Sequence, residues 1–371
     1  MEKITSPLVG HKTTALAKLL WQNRRSIDVP SKAVAVLGMS AAFAPARAAE
    51  WALAGRALKH HEITEAPLFV LGHARSGTTH LFQLLAQDPQ FGFERFRQSI
   101  FPYMCGPMRP FADFLLTGLG PNERPMDDMT FTPDGAAEDE DAIGSVNGQM
   151  VTLAFYFPRE ASRHFEKWAL MRDLSAAELA QWQDAVRTTF RKASWLAGGK
   201  RLVSKNPWHT SRVTHLHALW PDAPMLHIVR HPYGVFLSAW NALVKGAPFL
   251  QLGHVDDDEM RDLFFGFYRD MLQQHLEQRE VLPAGQYAEL RYEDLVVDPV
   301  GQMRRVYEQL NLDGWSRFEP NLRAYLATIA DYKPNRFDLD RVLAARIAEE
   351  WRFAFDEWGY DPDVLVAEDD E

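Results

Sequence analysis

The stretch "GHARSGTTHLFQLL" places glycine at Gly72, then four residues, then glycine at Gly77. A turn of that spacing, between a strand and a helix, points backbone N–H groups and the helix dipole at an anion. A nucleotide-hydrolysing loop would continue with lysine and then serine or threonine. Here Thr78 and Thr79 follow, and the cation is Arg75, inside the loop. Two further clusters have anion-binding chemistry. Arg230 stands eight residues before Ser238; a guanidinium suits bidentate phosphate binding and a hydroxyl can add to it, although pairing of Arg230 with a nearby carboxylate would explain it as well. In "SKNPWHTSR", Lys205, His209 and Arg212 fall within eight residues, which fits an anion site better than three unrelated surface positions.

These residues need elements to position them. "LFVL" (Leu68–Leu71) is a short continuous apolar run, as expected of a strand covered on both faces, and "THLFQLLAQ" after it carries leucines at helical spacing. The same grammar returns at "RLVS" (Arg201–Ser204), at "MLHIV" (Met225–Val229) followed by "RHPYGVFLSAWNAL", and at "QYAELRY" (Gln286–Tyr292) followed by "DPVGQMRRVYEQL". Pro232 suits the first turn of a helix, where its missing N–H is not needed. Alternating strands and helices predict an α/β fold, a parallel sheet flanked by helices, with ligands at the strand C-terminal ends. The expected organisation is an N-terminal helical segment over 1–65, packed on one α/β domain over 66–365. Residues 101–199, where the alternation lapses and aromatics and acids accumulate, form a mostly helical insertion over the acceptor side of the site. The acidic run "EDEDA" within it reads as a solvated face or the first turn of a helix.

Taken together, these motifs resemble those of the sulfotransferases that use 3′-phosphoadenosine 5′-phosphosulfate (PAPS), over roughly Pro67 to Arg336. "GHARSGTT" is similar to that family's 5′-phosphosulfate loop, which would engage Arg75, Ser76, Gly77, Thr78 and Thr79. "HIVRHPYGVFLSAW" resembles its 3′-phosphate motif, with Arg230 and Ser238 as the pair. "LRYEDLVVDP" resembles a third stretch, which would place Tyr292 near the adenine. The "RSGTT" form is that of a bacterial branch that includes enzymes sulfating lipid-like alcohols. The resemblance implies PAPS as donor, PAP as product and no metal, with Lys205 and Arg75 stabilising charge on the leaving group. It implies Glu94, in "FGFERFRQ", as the base that takes the acceptor's proton. Three phenylalanines around it would raise its pKa; a surface pair with Arg95 or Arg97 is the plain alternative. His209 is the second candidate base and equally readable as a helix-start histidine, and Glu138 is the third. Family members close a basic loop over the 3′-phosphate, a part that falls to Lys333 and Arg336 in "DYKPNRFDL", without the usual glycine-rich form.

A sulfuryl group carries less charge than a phosphoryl group, so fixed donors and one or two cations can replace the metal and loop lysine of nucleotide hydrolases. The remaining totals agree with this. With 371 residues and a net charge of −10, the chain has room for a large core and no general attraction for nucleic acid. One cysteine, Cys105, rules out an internal disulfide; it reads as a buried thiol, with a nucleophile as the alternative. The apolar run Ala33–Ala46 is too short to span a bilayer and is closely flanked by charge. It reads as a helix covering the core, with an interfacial membrane helix as the alternative. The expected setting is cytoplasmic, with peripheral membrane contact if that alternative holds. The acceptor is expected to be a small-molecule or lipid-like hydroxyl compound. Two other functions fit the same residues: a phosphotransferase with a degenerate loop, and a non-catalytic nucleotide- or lipid-binding protein of the same fold.

Overall fold

The computed structural model of the chain describes residues 6–119, 132–330 and 339–363. Five parallel strands, β1 (Leu68–Leu71), β2 (Phe91–Phe93), β3 (Arg201–Lys205), β4 (Met225–Val229) and β5 (Tyr287–Arg291), form one sheet in the order β2-β3-β1-β4-β5. Alternate residues of the central strand β1 enter two different cores. Leu68 and Val70 of β1, with Leu226 and Ile228 of β4, pack under the helices Thr78–Leu85 and Pro299–Gln309. Phe69, Leu71 and Met225 pack under the helix Ala176–Leu196. Both faces of β1 and β4 are covered, which is why these two strands are apolar runs, whereas the edge strand β5 alternates.

Four of the five strands lie where the sequence predicts them, with β3 one residue longer and β5 trimmed at both ends. The exception is β2. Its three residues, "FGF", are too short to show a period, and Gly92 is accommodated because a Cβ there would lie 2.4 Å from the Cβ of Ala197.

The N-terminal part is helical as expected, with helices Thr13–Gln22, Pro30–Ala42 and Ala44–His60. Leu16, Leu19, Val36 and Phe43 from this part share a core with Phe101, Leu115 and Tyr156. Prolines sit in the first turns of the helices Pro232–Leu250 and Pro299–Gln309, and the Asp298 carboxylate accepts from the Gly301 N–H at 2.9 Å to cap the second.

The chain leaves β1 toward the β2 edge and leaves β4 toward the β5 edge. Adjacent strands whose connections diverge in this way open a crevice at their C-terminal ends, where ligands of such sheets bind. The loop after β1 holds Gly72 to Gly77, and Arg230 directly follows β4.

Candidate active site

The loop after β1 turns through three left-handed residues, Gly72 (φ 141°), Arg75 (φ 72°) and Gly77 (φ 98°). Glycine is required at both ends for space as well as for φ. A Cβ on Gly72 would lie 2.6 Å from the carbonyl oxygen of Ile228, and one on Gly77 would lie 2.3 Å from Cδ2 of Tyr292. The Ser76 hydroxyl donates to the His73 carbonyl at 2.8 Å, tightening the turn. The Gly72 N–H donates to Thr210 Oγ1 at 2.7 Å, so the residues after β3 brace the loop from below. Gly77 then caps the helix Thr78–Leu85. Thr78 is buried at its start, while Thr79 is partly exposed.

Arg75, Arg230, Ser238 and Tyr292 meet in the crevice between β1 and β4. Arg75 Nε donates to Ser238 Oγ at 3.0 Å, and Arg230 Nη1 donates to the carbonyl of Arg75 at 3.2 Å. The Arg230 guanidinium lies over the Tyr292 ring, 4.7 Å from its centre. The next helix makes room for it: a Cβ on Gly234 would lie 3.1 Å from Arg230 Nε. Two guanidinium groups, a hydroxyl and an aromatic face in one crevice can take a phosphate and stack a base.

On the β3 side of the loop, Lys205 is buried at the strand's end. Its ammonium donates to Thr79 Oγ1 at 3.4 Å and to Glu138 Oε1 at 2.5 Å. Lys205, Thr79 and Glu138 therefore form a second group beside the loop.

Beneath this group the acidic run is not a solvated face. It does begin a helix, Glu140–Asn147, but Asp139 and Glu140 are buried. Glu140 receives Nη1 and Nη2 of Arg212 at 2.8 and 3.0 Å and Nδ2 of Asn206 at 2.8 Å. Asp139 accepts from Ser204 Oγ at 2.5 Å and from Asn206 Nδ2 at 2.8 Å. Glu140 clamps this segment to the residues after β3 through a paired, hydrogen-bonded charge, the form in which buried charge is tolerated, whereas the pKa of Asp139, whose partners Ser204 and Asn206 are neutral, is pushed up to about 7 by burial.

His209 belongs to this buried layer. It is fully enclosed, with its Nδ1 3.2 Å from Arg212 Nη1 and its Nε2 3.4 Å from Asp139 Oδ1. Burial, with Arg212 beside it, pushes its pKa well below the ordinary value, so the ring is neutral.

Glu94 directly follows β2, and its carbonyl accepts from the Ala137 N–H at 2.9 Å, next to Glu138. Its side chain is buried and borders a cavity with Gln98, Tyr103, Cys105 and Lys192. Burial raises its pKa well above the ordinary value, the nearby Asp139 charge raises it further, and Lys192 opposes both. Neither Arg95 nor Arg97 pairs with it. Arg97 is bound by Asp113 and Asp134, and Arg95 by Asp134. Cys105 is buried in the same cavity wall, and burial pushes its thiol up to about 11. It is therefore protonated at neutral pH, as a structural thiol would be. Lys333 and Arg336 lie outside the described residues.

The structure thus brings the sequence-derived residues into three neighbouring groups: Arg75, Ser238, Arg230 and Tyr292; Thr79 and Lys205; and Glu94 at its cavity. Several supporting residues were not singled out from sequence. Thr210 braces the loop, and Asp139, Glu140 and Asn206 build the layer beneath. The Asn-Pro pair in "SKNPWHTSR" held the one available signal for this layer: Asn206 caps the short helix Pro207–Ser211 through Trp208 N–H at 3.0 Å.

The model of a family described as the sulfotransferase family matches residues 67–317. The omega-hydroxy-beta-dihydromenaquinone-9 sulfotransferase Stf3 of Mycobacterium bovis is 30% identical over 360 residues, spanning 95% of this chain and 91% of the relative. Among solved structures, sulfotransferase STF9 from Mycobacterium avium superposes with a TM-score of 0.66 at 20% identity, covering 84% of this chain and 82% of its own. STF1 from Mycobacterium tuberculosis gives 0.63 at 17%, covering 86% and 83%. The two structures share the fold.

Proposed function

The chain belongs to the sulfotransferase family, and from that premise we propose that it moves a sulfuryl group from PAPS to the hydroxyl of a lipid-like acceptor. The observation that carries this reading is the convergence of Arg75, Ser238, Arg230 and Tyr292 in the crevice between β1 and β4. That set has the chemistry of a 3′-phosphate and adenine site, and the cradle whose glycines leave no room for a Cβ has the chemistry of a 5′-phosphosulfate site. Arg230 and Ser238 would hold the 3′-phosphate and Tyr292 the base. The amides of Arg75 to Thr79 would hold the 5′ end.

In the proposed reaction Glu94 accepts the proton of the attacking hydroxyl, and its raised pKa makes it a stronger base than an exposed carboxylate. The acceptor oxygen bonds to sulfur as the bond from sulfur to the bridging phosphate oxygen breaks. Lys205, Arg75 and the loop amides stabilise the charge left on that oxygen. His209, enclosed and neutral, serves as a support for the layer beneath Lys205. The lipid-like class of acceptor is carried over from the relative, whose name specifies a hydroxylated menaquinone. No step requires a metal, because the fixed cations do the electrostatic work.

The test is transfer of radiolabelled sulfate from PAPS to an isoprenoid quinone carrying a terminal hydroxyl, dispersed in detergent, with thermal melting in chelator alongside. We expect labelled lipid. PAP at a hundredfold excess over its dissociation constant should raise stability by about 2.7 kcal/mol. Stabilisation by ATP with Mg²⁺ but not by PAP would make the chain a phosphotransferase. Stabilisation by PAP with no transfer to any hydroxylated lipid would make it a nucleotide-binding protein.

A further inference from the structure

Where the helices Pro30–Ala42 and Ala44–His60 meet, the outer face lacks the polar side chains that a water-facing helix carries: the exposed residues from Val34 to Leu53 are all apolar. In the helix Pro30–Ala42 the buried stripe is Ala33, Val36 and Ser40. The helix's first turn exposes Ser31 and sends Lys32 to the Pro248 and Gln251 carbonyls, but beyond it the exposed residues Val34, Ala35, Gly38, Ala41 and Ala42 have no polar side chain. An outer helix face without polar side chains is normally covered. The next helix, Ala44–His60, exposes Ala44, Ala48, Trp51 and Ala52 at helical spacing, with Arg56 and Lys59 one and two turns on. Trp51 is 77% exposed and Val34 68%. At the corner between the two helices, the Phe43 ring meets Phe111 edge-on at 6.4 Å. Phe111 brings in the helix Arg109–Leu119, where Phe114 is 67% exposed. Isolated exposed apolar residues are ordinary, but a run of them over three helices is not.

Charge identifies what covers this face. Residues 1–60 hold nine Lys and Arg against three Asp and Glu, a surplus of six, in a chain whose net charge is −10. Of the acids in the described part, Glu50 is buried against the Gly106 and Met108 N–H groups, and Asp28 is paired with Arg159. Arg24, Arg25, Arg56 and Lys59 are exposed. An apolar face with tryptophan and a basic surround complements an anionic lipid surface. No helix among the described residues is long and apolar enough to cross a membrane, so the contact would lie along the interface.

We propose that this face, built by the helices Pro30–Ala42, Ala44–His60 and Arg109–Leu119, docks the protein on an anionic bilayer. The helix Ala44–His60 links that surface to the cavity at Glu94. Trp51 is on its outer side, while Glu50 on its inner side pairs with Lys192, which borders the cavity. The proposal concerns a second surface and does not depend on the donor or the transfer step. If the acceptor is a lipid, docking brings the cavity to the phase that holds it.

The test is flotation of the full chain with vesicles of phosphatidylcholine alone and of phosphatidylcholine mixed with phosphatidylglycerol, at low and high salt, with sedimentation of the protein alone. We expect partition onto the anionic vesicles that falls with salt. Trp51→Glu with Phe114→Glu should reduce it about tenfold or more. Arg24→Glu with Arg25→Glu should also weaken it, by about fivefold per residue. All these side chains are exposed, and PAP binding, measured on the same variants, should be unchanged. No binding to anionic vesicles at low salt, or equal binding by the variants, would overturn the proposal. So would a dimer that the Trp51 and Phe114 substitutions dissociate, since a second copy would then cover the face. Flotation reads no turnover, so failure of the transfer reading leaves this result standing, and the reverse.

Discussion

Glu94 is costly to the fold in the charged form that the proposed reaction would use. Burial raises its pKa and the Asp139 charge adds to the rise, so the folded protein favours its neutral form. Stability from this group is complete below its unfolded pKa and is lost as pH rises through the higher folded one. Glu94→Gln, which never ionises, should therefore be more stable than the wild type at alkaline pH by chemical denaturation. If Glu94 is the base, the same variant should lose about 10²–10⁴-fold in turnover. Unimpaired turnover would remove it from the chemistry. Wild-type turnover should rise with pH through a midpoint above the ordinary carboxylate range, and Asp139→Asn, which removes the like charge, should move that midpoint down. At the other side of the loop, Gly77→Ala forces a Cβ toward Tyr292 at a φ of 98°. The left-handed conformation alone should cost about 1–2 kcal/mol. Calorimetry should then show weakened PAP binding, because Tyr292 or the loop must shift.

Among the elements, the clamp between the Glu140–Asn147 helix and the residues after β3 is built on a buried charge pair. Glu140 and Arg212 are both fully enclosed. Glu140→Gln leaves the guanidinium buried without its counter-charge and should destabilise the fold by about 3–5 kcal/mol, read from denaturant midpoints. A loss below about 1 kcal/mol would mean that water or Asp139 takes over the guanidinium. This element is also where sequence reading fell short. The strands β1 and β4 were legible to the residue because apolar runs bounded by Gly, Pro and charge have few other uses. The loop and Arg230 were legible because their spacing is tied to the strand ends. The acidic run was not, because its partners Asn206 and Arg212 lie more than sixty residues away. A charged residue's burial is decided by that partner and leaves no mark on its own neighbourhood. Three-residue β2 was missed for a related reason: its assignment depends on pairing with β3, from Phe91↔Arg201 onward, rather than on any period of its own.

For the whole molecule, the order of the strands in the sheet differs from their order in the chain. The central strand, β1, pairs with β3 through Leu68↔Val203 and with β4 through Phe69↔Met225, and both partners come more than 130 residues later. Local helices can form as the polypeptide emerges, but β1 cannot find a neighbour until residue 205 is made. At ribosomal speeds of about 5–20 residues per second, that interval is on the order of ten seconds. Throughout it, "LFVL" has two open edges, covered on its faces at most by the local helices Thr78–Leu85 and, late in the interval, Ala176–Leu196, and β2, made next, has no place to attach until β3 arrives. The crevice between β1 and β4 comes later still, since Arg230 and Tyr292 complete it. A nascent chain of this topology carries unpaired apolar strand edges through a long part of its synthesis, and its yield in a cell should depend on chaperone capacity more steeply than its final stability would suggest.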